Sequence, residues 1–182
     1  DLVIANQEEN ARTPLEALAG RVPVLVSLPR TVAQSTAHLA RLARILETGA
    51  ELVRRAYALP PAAPACATVF APIWMDPLMT LNADTFGSDM LAHAGLANAF
   101  GDRLRLYPLA ADLGKGEAIE ATGRDVRYPR VTLGEITARG ADAIVLTDEP
   151  HAFSAEDEAV LRAALPGAQV VRTSGKDLFW YG

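Results

Sequence analysis

The stretch from Thr31 to Leu59 contains no proline, and within it Val32, Leu39, Leu42, Leu46, Val53 and Ala56 recur at helical spacing. Arg41, Arg44, Glu47, Glu51 and Arg55 fall on the opposite side. This period predicts one amphipathic helix of about 29 residues, roughly 43 Å at the usual rise. Gly49 is its weak point, costing about 1 kcal/mol relative to alanine. Three prolines at 60, 61 and 64 then forbid helix and ladder alike, so residues 60–66 form a stiff Pro/Ala linker. A helix this long exceeds the usual three or four turns. Either it packs along one sheet or it bridges two lobes, and periodicity does not decide between them.

The flanking pattern is one of alternating strands and helices. Leu2–Ala5 and Val22–Leu28 read as short buried strands, with a helix between them that Thr13, Pro14 and Glu16 open and Gly20 stops. Strand, helix and strand in this span make a βαβ unit with parallel strands. After the linker, residues 67–74 read as a strand and 85–94 as a helix. Capping boxes at Thr132–Glu135 and Ser154–Asp157 open two more helices, to about Arg139 and Leu165. Residues 143–147 and 169–173 supply the further strands. The expected class is α/β, with a parallel sheet covered on both faces. The expected parts are a βαβ piece (1–30), the long helix (31–59), the linker (60–66) and an α/β lobe (67–182). Residues 106–126 are polar, glycine-bearing and without a period, so they read as an insertion or mobile arm.

Composition excludes several functions. With 182 residues, 50% hydrophobic and 21% charged, the chain is long enough for a real core and too apolar for disorder. No apolar run reaches the roughly 18 residues of a transmembrane helix. A net charge of −5, with Lys115 and Lys176 the only lysines and the arginines scattered, leaves no footprint for nucleic acid. A single cysteine, Cys66, excludes a disulfide framework and a Cys-rich metal site. No targeting signal is visible at the start, and Asp1 leads straight into an apolar run, as though the chain opened inside a folded unit.

Catalytic motifs are missing. No serine sits in a nucleophile elbow, and no glycine fingerprint follows an early strand. His38, His93 and His151 lack metal-ligand spacing, so no protein-ligated metal site is expected. The sequence Ser174-Gly175-Lys176-Asp177 lacks the earlier glycine of a phosphate loop and has Asp177 where a magnesium-binding hydroxyl would stand. What stands out is the material just past the strand ends: Asn6 and Gln7; Trp74 and Asp76; Glu149 and Phe153; Leu178, Trp180 and Tyr181. In parallel α/β sheets such positions line the ligand crevice. They are also where ordinary loops carry half-buried aromatics. Arg105, Arg127 and Tyr128 flank the insertion, and the two arginines suit ligand carboxylates or phosphates as well as they suit solvent.

Several segments together resemble a family. They are Asp1-Leu2-Val3-Ile4-Ala5, Arg30-Thr31-Val32 entering the long helix, and Asp84-Thr85-Phe86. They continue through Tyr128-Pro129-Arg130-Val131-Thr132-Leu133-Gly134-Glu135 and Asp142-Ala143-Ile144-Val145-Leu146 to Asp177-Leu178-Phe179-Trp180-Tyr181-Gly182. In this order they resemble the class III substrate-binding proteins of ABC importers, and within these the helical-backbone metal receptors that include cobalamin and ferric siderophore binders. The resemblance implies two Rossmann-like lobes joined by one long backbone helix, with the N-terminal lobe largely missing from this chain. It implies an extracytoplasmic receptor without catalysis or covalent cofactor, peripheral to the membrane at most, that binds a corrinoid, haem or ferric siderophore between its lobes. Its partners would be an ABC permease and its ATPase, docked through acidic residues such as Glu156 and Glu158. Two features depart from the family: the chain lacks the longer N-terminal lobe and closing helix, and Asn6 stands where the cobalamin binder has an aromatic. The rival expectations are a small flavodoxin-like or phosphatase-like enzyme and a truncated, ligand-free interaction module.

Overall fold

Strand-forming residues with both neighbours apolar have no solvent face, and the computed structural model, which describes residues 1–56 and 61–180, shows what they pack against. The chain divides into two compact units, Asp1–Ala58 and Leu59–Gly182.

In the first unit, β1 (Val3–Asn6) and β2 (Val24–Ser27) pair in parallel around α1 (Arg12–Ala19), so the expected βαβ unit forms. The helix begins two residues earlier than a Thr13 cap would set it, with Ala11 at the N-cap and no capping side chain, and Pro14 lies in the first turn. Then α2 (Val32–Ile45) starts where Thr31 predicts, its hydroxyl accepting the Gln34 amide at 3.1 Å.

The single long helix does not form. It stops at Leu46 and resumes as α3 (Ala50–Ala56). The stop is a Schellman turn. Glu47 takes a left-handed conformation at φ 53°, its amide donates to Arg44 O, and the Thr48 amide donates to Ala43 O at 2.7 Å. The Thr48 hydroxyl doubles that last bond. Closing the carbonyls of the last turn locally satisfies what a continuous helix would have satisfied with four more residues. The remainder of the expected helix, residues 57–59, lies outside the described residues.

The second unit is built on four parallel strands in the order β6–β3–β7–β8: β6 (Leu96–Asn98), β3 (Ala67–Phe70), β7 (Ala143–Thr147) and β8 (Gln169–Thr173). Alternation decides the two faces. Phe70, Ile144 and Leu146 pack with Ile136 of α6 (Leu133–Arg139) and Leu161 of α7 (Ala155–Ala164). Val69, Ala71 and Val145 pack with Leu91 of α4 (Phe86–His93) and Leu178 of α8 (Gly175–Phe179). Both faces are covered, as the continuous apolar runs demand.

The expected strand over residues 67–74 is shorter. It ends at Phe70, and β4 (Pro72–Met75) folds back on β5 (Leu78–Thr80) as an antiparallel hairpin around a cis Asp76–Pro77 bond.

The expected mobile arm is also tied down. Within it α5 (Leu109–Asp112) ends on Asp112, whose side chain is fully buried. One Asp112 oxygen accepts the Arg103 guanidinium at 3.2 Å and the Leu106 amide at 2.8 Å, and the other accepts the Arg130 amide at 2.8 Å. Arg103 continues to Glu135 at 3.0 Å, so this carboxylate turns away from the capping box its position suggests. A buried carboxylate is tolerable only when paired in this way. Replacing Asp112 with alanine is expected to lower stability by about 2–4 kcal/mol, because the Leu106 and Arg130 amides would lose their acceptor and Arg103 one of its two carboxylates. Urea unfolding of the variant against the wild type measures this.

Candidate functional site

In a parallel sheet every strand exit lies on one edge, so the loops leaving β3, β6, β7 and β8 share it. The β4–β5 hairpin leaves β3 and presents Trp74, which is 43% exposed. Its indole is not loose, since Nε1 donates to the Asp76 carbonyl at 3.0 Å. The loop leaving β7 brings His151 against it, ring centres 5.3 Å apart, and Phe153 meets the far side of His151 edge-on at 4.8 Å. His151 Nε2 lies 3.1 Å from Asp157 Oδ2, the same oxygen that receives the Ser154 amide in the capping box of α7. The aromatic row Trp74–His151–Phe153 is thus anchored at one end to the core and at its middle to a helix N-terminus. These backbone and side-chain bonds hold Asp157 below the usual aspartate range, the Ser154 amide contributing most.

The loop leaving β8 is locked to the loop leaving β7. Asp148 Oδ1 accepts the Gly175 amide at 2.7 Å, and a Cβ at Gly175 would overlap the Glu149 carbonyl. Glycine is required there by close approach. Below it, Gly87 of α4 leaves room for the Phe179 ring, which seats α8 on the sheet.

The expected site residues separate into groups. Trp74, Asp76 and Trp180 are exposed at the carboxyl edge or just beyond it, and Glu149 is half-buried there. Trp180 makes no ring contact with the row among the described residues. Phe153 and Leu178 are core residues, 5% and 8% exposed, so neither offers a face to a ligand; Phe153 acts by backing His151. Arg127 is buried and spent: its guanidinium holds both oxygens of Asp125, at 2.9 and 2.6 Å, and lies over Tyr128. Asn6, in the first unit, uses its side-chain oxygen on the Glu8 amide in the turn after β1, while Gln7 is exposed. Glu158 is held low by Arg162 and then Arg172, both bonded to it, which leaves Glu156 as the exposed acid of that pair. Tyr181 lies outside the described residues.

Sequence reasoning missed His151 as the centre of the row, because its partner Asp157 lies six residues away on a different element. It missed Asp112 as well, since a lone aspartate in a polar stretch looks solvated. Among the described residues no three His, Cys, Asp or Glu side chains converge to hold a metal ion. An open groove of about 530 Å³ lies elsewhere, lined by Arg103, Leu106, Asp112, Glu135 and Arg139, and its charges are all paired.

No protein-family model matches this chain, and no curated protein matches its sequence. Solved structures do match its fold. The periplasmic Vitamin B12 binding protein BtuF of Vibrio cholerae superposes with a TM-score of 0.65 at 16% identity, over 100% of this chain and 67% of that one. A periplasmic heme binding protein from Pseudomonas aeruginosa gives 0.64 at 16%, over 98% and 64%. The siderophore binding protein FhuD of Vibrio cholerae, solved with Fe3+-Desferal, gives 0.54 at 14%, over 100% and 67%. The chain spans about two thirds of the length of these structures. At such identities the likeness is one of fold: mixed α/β with parallel sheets, as in periplasmic solute-binding proteins of the class that the sequence resembles. The matched structures are binding proteins rather than enzymes. Among the described residues no helix is long and apolar enough to cross a membrane.

The Asp157 anchor gives a pH-dependent prediction. A carboxylate held below its unfolded value adds stability above that value and loses it as pH falls through the folded one. The stability difference between wild type and Asp157→Asn is therefore expected to shrink between about pH 5 and pH 2. Thermal unfolding of both proteins across that range checks it.

Proposed function

We propose that this chain is the extracytoplasmic solute-binding component of an ABC importer, taking up a metal chelate and presenting it to a permease and its ATPase. The observation that carries this reading is Trp74: a large aromatic face, half exposed at the carboxyl edge, yet fixed by the Asp76 carbonyl and buttressed by His151. A pre-positioned indole offers flat apolar contact without the entropy of ordering a free side chain. Corrinoid, haem and ferric siderophore are the ligand classes, since all present broad apolar surface around a metal they already hold. Trp180 would extend the contact, Asp76, Glu149 and Lys176 would set orientation, and Tyr128 would add a polar contact. The chain itself supplies no metal ligands in this reading, and no reaction.

Titrating the purified chain with cyanocobalamin, haemin and ferric desferrioxamine, read by tryptophan fluorescence and absorbance, tests it. At least one is expected to saturate at a 1:1 ratio. Replacing Trp74 with alanine is expected to weaken that binding by about 1–3 kcal/mol, or ~5- to 150-fold, with the fold intact. Unchanged affinity would remove Trp74 from the ligand face.

Docking to the permease would fall to Glu156. Charge reversal there is expected to reduce transport, measured as chelate uptake, and to leave chelate affinity unchanged. Reversal at Glu158 is expected to lower the melting temperature too, since Arg162 and Arg172 would lose their shared partner.

A further inference from the structure

Two arginines on the segment after β6 have been brought together without a counter-charge. The Arg105 guanidinium lies 5.1 Å from the centre of the Tyr107 ring and that of Arg124 lies 4.8 Å from the same centre. Neither has an ion-pair partner among the described residues, whereas neighbouring Arg103 and Arg127 are each paired to a carboxylate. Arg105 Nε is moreover buried with no hydrogen-bond acceptor. Two like charges on one ring repel, and a desolvated guanidinium nitrogen without an acceptor is costly. The ring between them attracts both cations but gives neither an oxygen to bond.

The arrangement is held by the backbone rather than by chance packing. The Arg105 amide donates to Val126 O at 2.8 Å, the Ile119 amide to Tyr107 O at 2.8 Å, and the Tyr107 hydroxyl to Asp125 O at 2.7 Å. The strand-like residues after Val126 in turn bond the hairpin side of the sheet edge: the Thr80 amide donates to Pro129 O, and the Asn82 amide to Arg127 O. The segment leaves from β6 and returns to the start of α6, and both of those points lie on the carboxyl edge. It is therefore tied to the same hairpin that presents Trp74. The paired groove beside it is a different surface, lined by Leu104 and Leu106 but not by Arg105 or Tyr107.

We propose that Arg105 and Arg124, set around Tyr107, form an oxyanion subsite that takes a carboxylate or phosphate group on the periphery of the bound chelate. This rests on the solute-binding reading above and narrows it to anionic ligands. The two planar donor forks supply charge-assisted bonds, and the anion's charge offsets the repulsion between them.

The test titrates the full chain and its Arg105→Gln and Arg124→Gln variants with ferric citrate, inorganic phosphate and ferric desferrioxamine, which carries no oxyanion group. Melting temperatures are followed in parallel. Arg124 is exposed, so its variant stays readable if the Arg105 one misfolds. Each substitution is expected to weaken ferric citrate or phosphate binding at least about tenfold and to leave ferric desferrioxamine unchanged. Loss with citrate alone identifies a carboxylate ligand, and loss with phosphate alone a phosphate one. Wild type that binds neither oxyanion, or substitutions that leave the binding of every oxyanion it takes unchanged, overturns the subsite while leaving the solute-binding reading untouched. Oxyanion binding that depends on both arginines, in a chain that binds no chelate, upholds the subsite and overturns that reading.

Discussion

All four strands of the larger sheet run the same way, and most of what this chain can do follows from that. A parallel sheet needs a crossover between neighbours, and the crossovers lay α6 and α7 on one face and α4 on the other, where α8 joins it after the last strand. With both faces buried along the inner strands β3 and β7, the sheet meets another molecule most readily at its edges. The carboxyl edge is where the hairpin, the loop after β7, the start of α8 and the segment after β6 all emerge. The candidate site is therefore a consequence of strand polarity before it is a consequence of any one residue.

What makes the edge firm is a set of polar ties between loops. Asp148 joins the β7 and β8 exits through the Gly175 amide, and Asp157 joins His151 to the start of α7. Asp112 gathers Arg103, Leu106 and Arg130 so that a long excursion has a buried centre. Each of these aspartates is spent on structure, and each frees the aromatic or cationic groups nearby from structural duty. Trp74, Trp180, Arg105 and Arg124 are what the ties leave outward or unpaired.

The regular elements were legible because local signals suffice for them. The β-branched runs at 143–147 and 169–173 are β7 and β8 residue for residue, and Thr31, Thr85, Thr132 and Ser154 cap the helices they precede. The break at Leu46–Gly49 was not legible, although Gly49 marked the place. The turn depends on Glu47 adopting a conformation that a glutamate rarely takes, stabilised by Thr48. Sequence position marks the strand exits but not which way each side chain points: Phe153 and Leu178 turn inward while Trp74 turns out. Arg127 met Asp125 two residues back, a pairing that sequence spacing does not announce. The fold was readable from pattern; the site needed the loops in three dimensions.

Hydrogen–deuterium exchange of the chain with and without cyanocobalamin, haemin and ferric desferrioxamine tests most directly whether the carboxyl edge is a ligand face. At least one chelate is expected to slow exchange in residues 71–80, 148–153 and 174–180 together, with α4, α6 and α7 unaffected. Saturable binding that protects other segments and leaves these three unchanged would contradict the account, as would no protection by any of the three.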